Sequence, residues 1–174
     1  LKLYILERFI SHPPSGASVC FKEIAAHISR HLIQAQSSIC IAVCWFSHQQ
    51  IFDALINRLR AGISVELLLE YDTQNIRPDG LDFQHFIQKG GLLFGNRGTG
   101  LMHHKFAIID HRILLTGSFN WTYNTNAENI IAFQDPFCVE AFREEYQTLK
   151  KSAKRILRVD PSDAKQFVSF PLFE

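Results

Sequence analysis

MHHKFAIIDHRILLTGSFN, residues 102–120, decides the fold. Two apolar, β-rich runs, Lys105–Ile109 and Ile113–Thr116, flank the short polar segment Asp110-His111-Arg112, as in a hairpin with a compact turn. Side chains alternate across a strand, so His103, Lys105, Ala107 and Ile109 share one face while His104, Phe106 and Ile108 share the other. The two adjacent histidines therefore point apart. His104 reads as a packed histidine bonded to a carbonyl or a neighbouring side chain, and His103 and Lys105 read as a pair on a common surface.

Upstream of this hairpin, strand and helix alternate at crossover lengths. Apolar residues Ile24, Ala25, Ile28, Leu32 and Ala35 recur at helical spacing within Phe21–Ala35, leaving His27, Arg30, His31 and Gln34 mostly outside the stripe. Ile39–Trp45 is continuously apolar and reads as a buried strand. It leads to a helix for which Ser47 and Gln50 have the capping-box spacing, and which Ala61-Gly62 ends. Ile63–Leu69 is a further strand, Leu81–Gln88 a short helix and Leu92–Phe94 another strand. Asn129–Phe133 adds one more, and Pro136–Lys154 forms a long helix with Phe142, Tyr146 and Leu149 inward, closed off by Pro161. The expected class is α/β, a mixed sheet with helices on both faces, parallel in its first half. Residues 159–174 are expected to form a tail or one short edge strand.

A length of 174 residues with 47% hydrophobic content fits one compact domain over 1–174. Eighteen Lys and Arg against seventeen Asp and Glu leave a formal charge of +1, which neither demands nor excludes a polyanionic partner. Arg143, Lys150, Lys151, Lys154, Arg155 and Arg158 cluster near the end, and a solvated helix face is favoured over a nucleic-acid patch. Cys20, Cys40, Cys44 and Cys138 lack CxxC or disulfide-framework spacing, pointing to a reducing, cytoplasmic setting. No run is long enough to be an integral membrane segment, and Leu1–Ile10 is too short and too charged for a signal sequence. Leu rather than Met at position 1 keeps open processing or excision from a longer chain, with a targeting segment or another domain missing.

An imidazole can attack phosphorus or shuttle a proton, and an ammonium two positions on can neutralise a non-bridging oxygen. His103 and Lys105 carry that chemistry, and the whole string is His103-x-Lys105-x4-Asp110-x6-Gly117-Ser118, followed by Phe119-Asn120-Trp121-Thr122. Because His103 and His104 diverge, one metal gripped by both is disfavoured. A site recruiting His85 or His111 is the remaining metal alternative, and no metal or cofactor is expected. Asp110 falls at the turn and reads as structural, and Gly117 as allowing close backbone approach. Trp121 and Thr122 are candidates to border a cleft, with the alternative that Trp121, like Phe119, anchors the core. His48, after an apolar strand, is a possible cleft residue or an exposed histidine in a capping segment.

This string resembles the HKD motif of the phospholipase D superfamily, with no motif position substituted, and looks like its small single-motif bacterial nuclease branch. The resemblance implies a phospholipase D-like domain. With one motif in the chain, it also implies a homodimer in which His103 of each copy approaches one phosphate. One His103 would form a phosphohistidine while the other protonates the leaving oxygen and later activates water. Lys105 and Asn120 would clamp the phosphate, Ser118 would contact it or order the loop, and Glu128 would orient an imidazole. The expected activity is metal-independent endonucleolytic hydrolysis of DNA, and of RNA as a further substrate. The alternatives are a phospholipid or cardiolipin phosphodiesterase and a noncatalytic nucleic-acid-binding module.

Overall fold

The computed structural model describes residues 16–96 and 100–166. Eight strands form one mixed sheet: β1 (Ser18–Cys20), β2 (Ser38–Val43), β3 (Ser64–Glu70), β4 (Leu92–Asn96), β5 (Lys105–Ile109), β6 (Ile113–Gly117), β7 (Ile130–Phe133) and β8 (Lys154–Ile156). Their spatial order is β1-β7-β6-β5-β2-β3-β4-β8. Strands β2, β3 and β4 run parallel, and every other pairing is antiparallel. The helices are α1 (Ile24–Ile33), α2 (Gln49–Arg60), α3 (Phe83–Gln88) and α4 (Pro136–Ser152).

The period-two alternation of the strands sorts their side chains into two cores. Ile39, Ile41, Val65, Leu67, Ala107 and Leu115 pack with Ile28 and Leu32 of α1, Leu55 of α2 and Phe86 of α3. Ala42, Leu68, Phe106, Ile108 and Leu114 face the other way, against Val139 and Tyr146 of α4. Helices thus cover both faces of the sheet. A polar contact fixes α4 as well: Lys150 Nζ donates to both Glu66 oxygens at 2.9 and 2.7 Å, and Tyr146 Oη lies 3.1 Å from Glu66. Arg143 pairs with Glu140 on the same helix. Two members of the basic cluster therefore serve α4 itself.

Several boundaries differ from the sequence reading. Helix α1 starts at Ile24, after Glu23 adopts a left-handed φ of 50°. The Ser47–Gln50 capping box does not form: His48 is the N-cap of α2 without a side-chain cap bond. The Ser47 and His48 amides instead donate to Trp121 O at 2.8 and 2.9 Å, so the start of α2 is held by a tertiary contact. The long terminal helix stops at Ser152 because Lys154–Ile156 pairs with β4, covering an otherwise open edge. Pro161 does not stop that helix but lies in a 3-10 turn, Pro161–Asp163. Strand β8 precedes the segment 159–174, in which Lys165 makes an isolated parallel bridge with Asp72 and whose last eight residues lie outside the described ones, as does Leu1–Ile10. Strand β1, too short to show a period, was not anticipated. Among the described residues no helix is long and apolar enough to cross a membrane, and Cys20, Cys40, Cys44 and Cys138 are free thiols.

Gly117 closes β6 where β7 begins. A Cβ there would sit 2.2 Å from Asn129 O and 2.9 Å from Ile130 Cα, both backbone atoms of the neighbouring segment. Gly117→Ala should therefore destabilise the protein by about 1–3 kcal/mol. Gly100→Ala, whose Cβ meets nothing within 4 Å, should stay within about 0.5 kcal/mol of wild type. Urea melts of the two variants check this; equal midpoints would show that β7 does not press on Gly117.

Candidate active site

Strand β5 runs antiparallel to β2 with Lys105 opposite Val43, so the residues preceding β5 emerge at the carboxyl ends of the parallel strands. Open α/β sheets place ligands at this edge. The β5–β6 and β6–β7 registers, Phe106 opposite Thr116 and Gly117 opposite Ile130, bring Ser118, Asn120 and Glu128 to the same edge. Two clamps hold the entry to β5. Cys44 N donates to His104 O at 2.9 Å, and the buried Glu70 accepts from Met102 N and Asn96 Nδ2 while facing Lys165 Nζ at 3.2 Å.

The strand parity separates the two histidines. His104 Nε2 lies 3.2 Å from Glu145 Oε1 of α4, with its ring edge-on to Phe106 at 5.5 Å. His103 is exposed at the carboxyl edge, 6.1 Å between ring centroids from Trp45. Lys105, 8% exposed, donates from Nζ to His103 O at 2.8 Å. Burial pushes the Lys105 ammonium below its usual range, while Cys44 and Glu128 pull it back up. Burial also lowers the His103 imidazole below its ordinary 6.5, with Lys105 and His104 acting in the same direction.

Ser118 Oγ donates to Glu128 Oε2 and accepts from Asn129 N at 3.1 Å, so the two ends of the β6–β7 connection are tied together. In the single chain Glu128 thus holds Ser118, and among the described residues no hydrogen bond joins it to the His103 ring. Asn120 is half-buried, with Oδ1 shielded and without a hydrogen-bond partner among the described residues. Trp121 belongs to the core and not to a cleft: it is fully buried, with its ring 5.3 Å from Phe46. Thr122 and His48 do line a groove of about 480 Å³, together with Phe21, Tyr123 and Glu128. There His48 stacks on Tyr123 at 4.2 Å, and burial lowers its pKa.

Asp110 sits at the far end of β5 from His103. Its carboxylate accepts from the amides of Gln36, Ser37 and Ser38 at 2.8–3.1 Å and from Ser37 Oγ at 2.9 Å. Burial alone would raise this carboxyl, but those donors prevail and hold it below its usual range. Asp110 and His111 both have positive φ, 52° and 53°, and make the tight turn. His111 is thus a full strand length from His103, and His85 lies on α3. Among the described residues no group of three or more His, Cys, Asp or Glu could hold a metal ion. Sequence reasoning missed Trp45 as a neighbour of His103, and Glu70 and Asp72 as anchors. Their partners are distant along the chain and leave no local spacing to read.

An imidazole, a nearly buried ammonium, an amide and a hydroxyl thus lie at one edge of the sheet. Residues 28–150 match the family described as cardiolipin synthase, PLD-like domain. The chain belongs to the phospholipase D superfamily. It is 32% identical over 122 residues to a mitochondrial cardiolipin hydrolase from Chlamydomonas reinhardtii, covering 68% of this chain and 54% of that one. It is 33% identical over 144 residues to a phospholipase D from Rickettsia felis, covering 80% and 67% respectively. The chain thus spans little more than half of the first relative. In fold it is similar to the phospholipase D family member Nuc from Salmonella typhimurium, with a TM-score of 0.71 at 20% identity over 81% of this chain and 97% of that one.

The lowered His103 pKa fixes a sign. The unfolded chain binds the proton more tightly, so the contribution of this group to stability is complete above pH 6.5 and is lost as the pH falls through the lower folded value. An NMR titration should place the His103 ring midpoint below 6.5, assigned by its disappearance in His103→Asn. A midpoint at or above 6.5 would refute the shielding.

Proposed function

We propose that the protein is a metal-independent phosphodiesterase that hydrolyses nucleic acid at a site completed by two copies of the chain. The observation that carries this reading is the pairing of an exposed His103 imidazole with the nearly buried Lys105 ammonium at one sheet edge. A neutral His103 attacks phosphorus; the new N–P bond forms as the P–O bond to the leaving group breaks. His103 of the second copy donates the proton that the leaving oxygen takes up. That second imidazole, now neutral, removes a proton from water, which displaces the phosphohistidine and returns a phosphomonoester with both histidines ready for another cycle. Lys105 and Asn120 face the non-bridging oxygens, and preorganised donors of this kind lower the barrier without reorganising during reaction. This sequence holds one His-x-Lys pair, and in this reading a second copy of the chain supplies the second histidine.

Nucleic acid is favoured by the groove beside the site. Phe21 and the Tyr123–His48 stack offer planar faces, and Thr122, Asn124 and Asn126 offer hydroxyls and amides, a mixture suited to an extended strand with little base readout. A cardiolipin or phospholipid substrate is the second reading. It is favoured by the relatives named cardiolipin hydrolase and by Phe21, 67% accessible, which lines the groove. The four free thiols support a reducing compartment such as the bacterial cytoplasm.

Labelled single-stranded DNA, duplex DNA, RNA and cardiolipin vesicles, each incubated with enzyme in EDTA, test the proposal. Nucleic acid should be cut with the chelator present, because a histidine and a lysine supply the nucleophile and the charge that metals supply elsewhere. His103→Ala should abolish turnover and the acid-quenched covalent intermediate while binding persists through Lys105. His104→Asn should retain both and lose no more than about 1 kcal/mol of stability, since its half-exposed contact with Glu145 is a surface pair. Activity lost in EDTA and restored by Mg²⁺ would end the metal-independent reading, and cleavage of lipid alone would replace nuclease with the second reading.

A further inference from the structure

Among the described residues the His103 ring receives no hydrogen bond, although a nucleophile must present one nitrogen in line with the breaking bond. Its aromatic neighbour is Trp45, just beyond the carboxyl end of β2, which meets it edge-on with an interplanar angle of 78°. The indole is not a loose surface ring. Its Nε1–H donates to Asp72 Oδ2 at 3.2 Å, and Asp72 is 4% exposed.

Asp72 is itself immobilised, because its Oδ1 accepts from the amides of Gln74 and Asn75 at 3.1 and 3.0 Å. Asn75 is then locked to the main chain on either side of Trp45. Its Nδ2 donates to Cys44 O at 2.7 Å and to Glu70 O at 2.8 Å, and its Oδ1 accepts from Phe46 N at 2.7 Å. The turn after β3 thus fixes the backbone of Trp45 from both neighbours and its side chain through one carboxylate.

We infer that Trp45, anchored by Asp72, is a positioning residue that sets the orientation of the His103 imidazole for attack on the phosphodiester. This rests on the phosphodiesterase reading of the site. The indole edge restricts rotation of a ring that otherwise stands in solvent, so the entropy of aligning it is lost on folding and not during each turnover. Trp45 makes no bond to the reacting atoms. Its removal should therefore lower kcat and leave KM alone.

The test uses the full chain, with Trp45→Leu removing the ring and Trp45→Phe keeping a ring without the Asp72 bond. Circular dichroism and thermal melts establish that both variants fold. In wild type the His103 ring resonances should carry a ring-current shift that Trp45→Leu abolishes. The kcat of Trp45→Leu on the best wild-type substrate should fall about ten- to a hundredfold with KM within about twofold. Trp45→Phe should recover part of that loss. Unchanged His103 resonances in folded Trp45→Leu, an unchanged kcat, or a loss confined to KM would each overturn the assignment. A folded wild-type protein inert on every substrate in EDTA and with added metal would instead overturn the phosphodiesterase reading, and with it the role given to Trp45.

Discussion

The antiparallel register of β5 on β2 is the constraint on which the site depends. Lys105 opposite Val43 and Ile109 opposite Ile39 place the hairpin turn beside the start of β2 and the histidines beside its end. Both ends are pinned by groups outside the ladder: Asp110 gathers the amides of residues 36–38, and Cys44 N holds His104 O. A one-residue slip would exchange faces along the whole strand. Phe106 and Ile108 would leave the core beneath α4, and His104 would take the place of His103. The apolar alternation that stabilises the sheet and the choice of which histidine reaches the edge are therefore one specification.

That coupling explains how a lysine comes to be nearly buried at the edge of a core. In register, Lys105 belongs to the face that carries Ala107 and Ile109, so its stem lies along apolar packing and its ammonium emerges at the strand start. Burial there opposes the charged form, and the negative potential of Glu128 partly compensates. Glu128 is in turn engaged by Ser118, so the hydroxyl that closes the β6–β7 connection also holds the carboxylate that acts on the ammonium. Glu70 performs the equivalent service one layer out. A buried carboxylate there fastens Met102, the residue before the histidines, and meets Lys165 from the chain end.

The sequence was most legible where local periodicity and tertiary environment demand the same thing. Residues 105–117 alternate because both faces of β5 and β6 are buried under different helices, and the motif spacing follows from the length of those strands. Legibility failed where long-range contacts overrode local signals. Ser47 and Gln50 had cap spacing, yet the carbonyl of Trp121 captured the amides that start α2. Lys154-Arg155-Ile156 continued a helical pattern, yet the open edge of β4 drew it into a strand. Trp121 could be placed in cleft or core from sequence, and its fully buried ring decides for the core. Asp72 and Asn75 reach Trp45 and Phe46 across 27 and 29 positions, so no spacing rule would have found them.

What the single chain holds is polar capacity left unspent. Asn120 Oδ1 is shielded without a partner among the described residues, and the one hydrogen bond of Lys105 Nζ among them goes to a main-chain carbonyl. Buried polar groups are ordinarily satisfied, so a shielded amide oxygen without a partner at the sheet edge marks a place where the fold does not optimise its own stability. On the phosphodiesterase reading, a phosphate oxygen would accept from the Lys105 ammonium and from Asn120 Nδ2 without moving the sheet that carries them, while the unpartnered Asn120 Oδ1 would need a separate donor. On the reading proposed above, the exposed His103 fits the same logic, since a ring meant to meet a phosphate, and across it a second identical ring, would have to stay uncovered by its own chain. Trp45 and Asp72 resolve the conflict this creates, holding from the side an imidazole whose working face has to stay open.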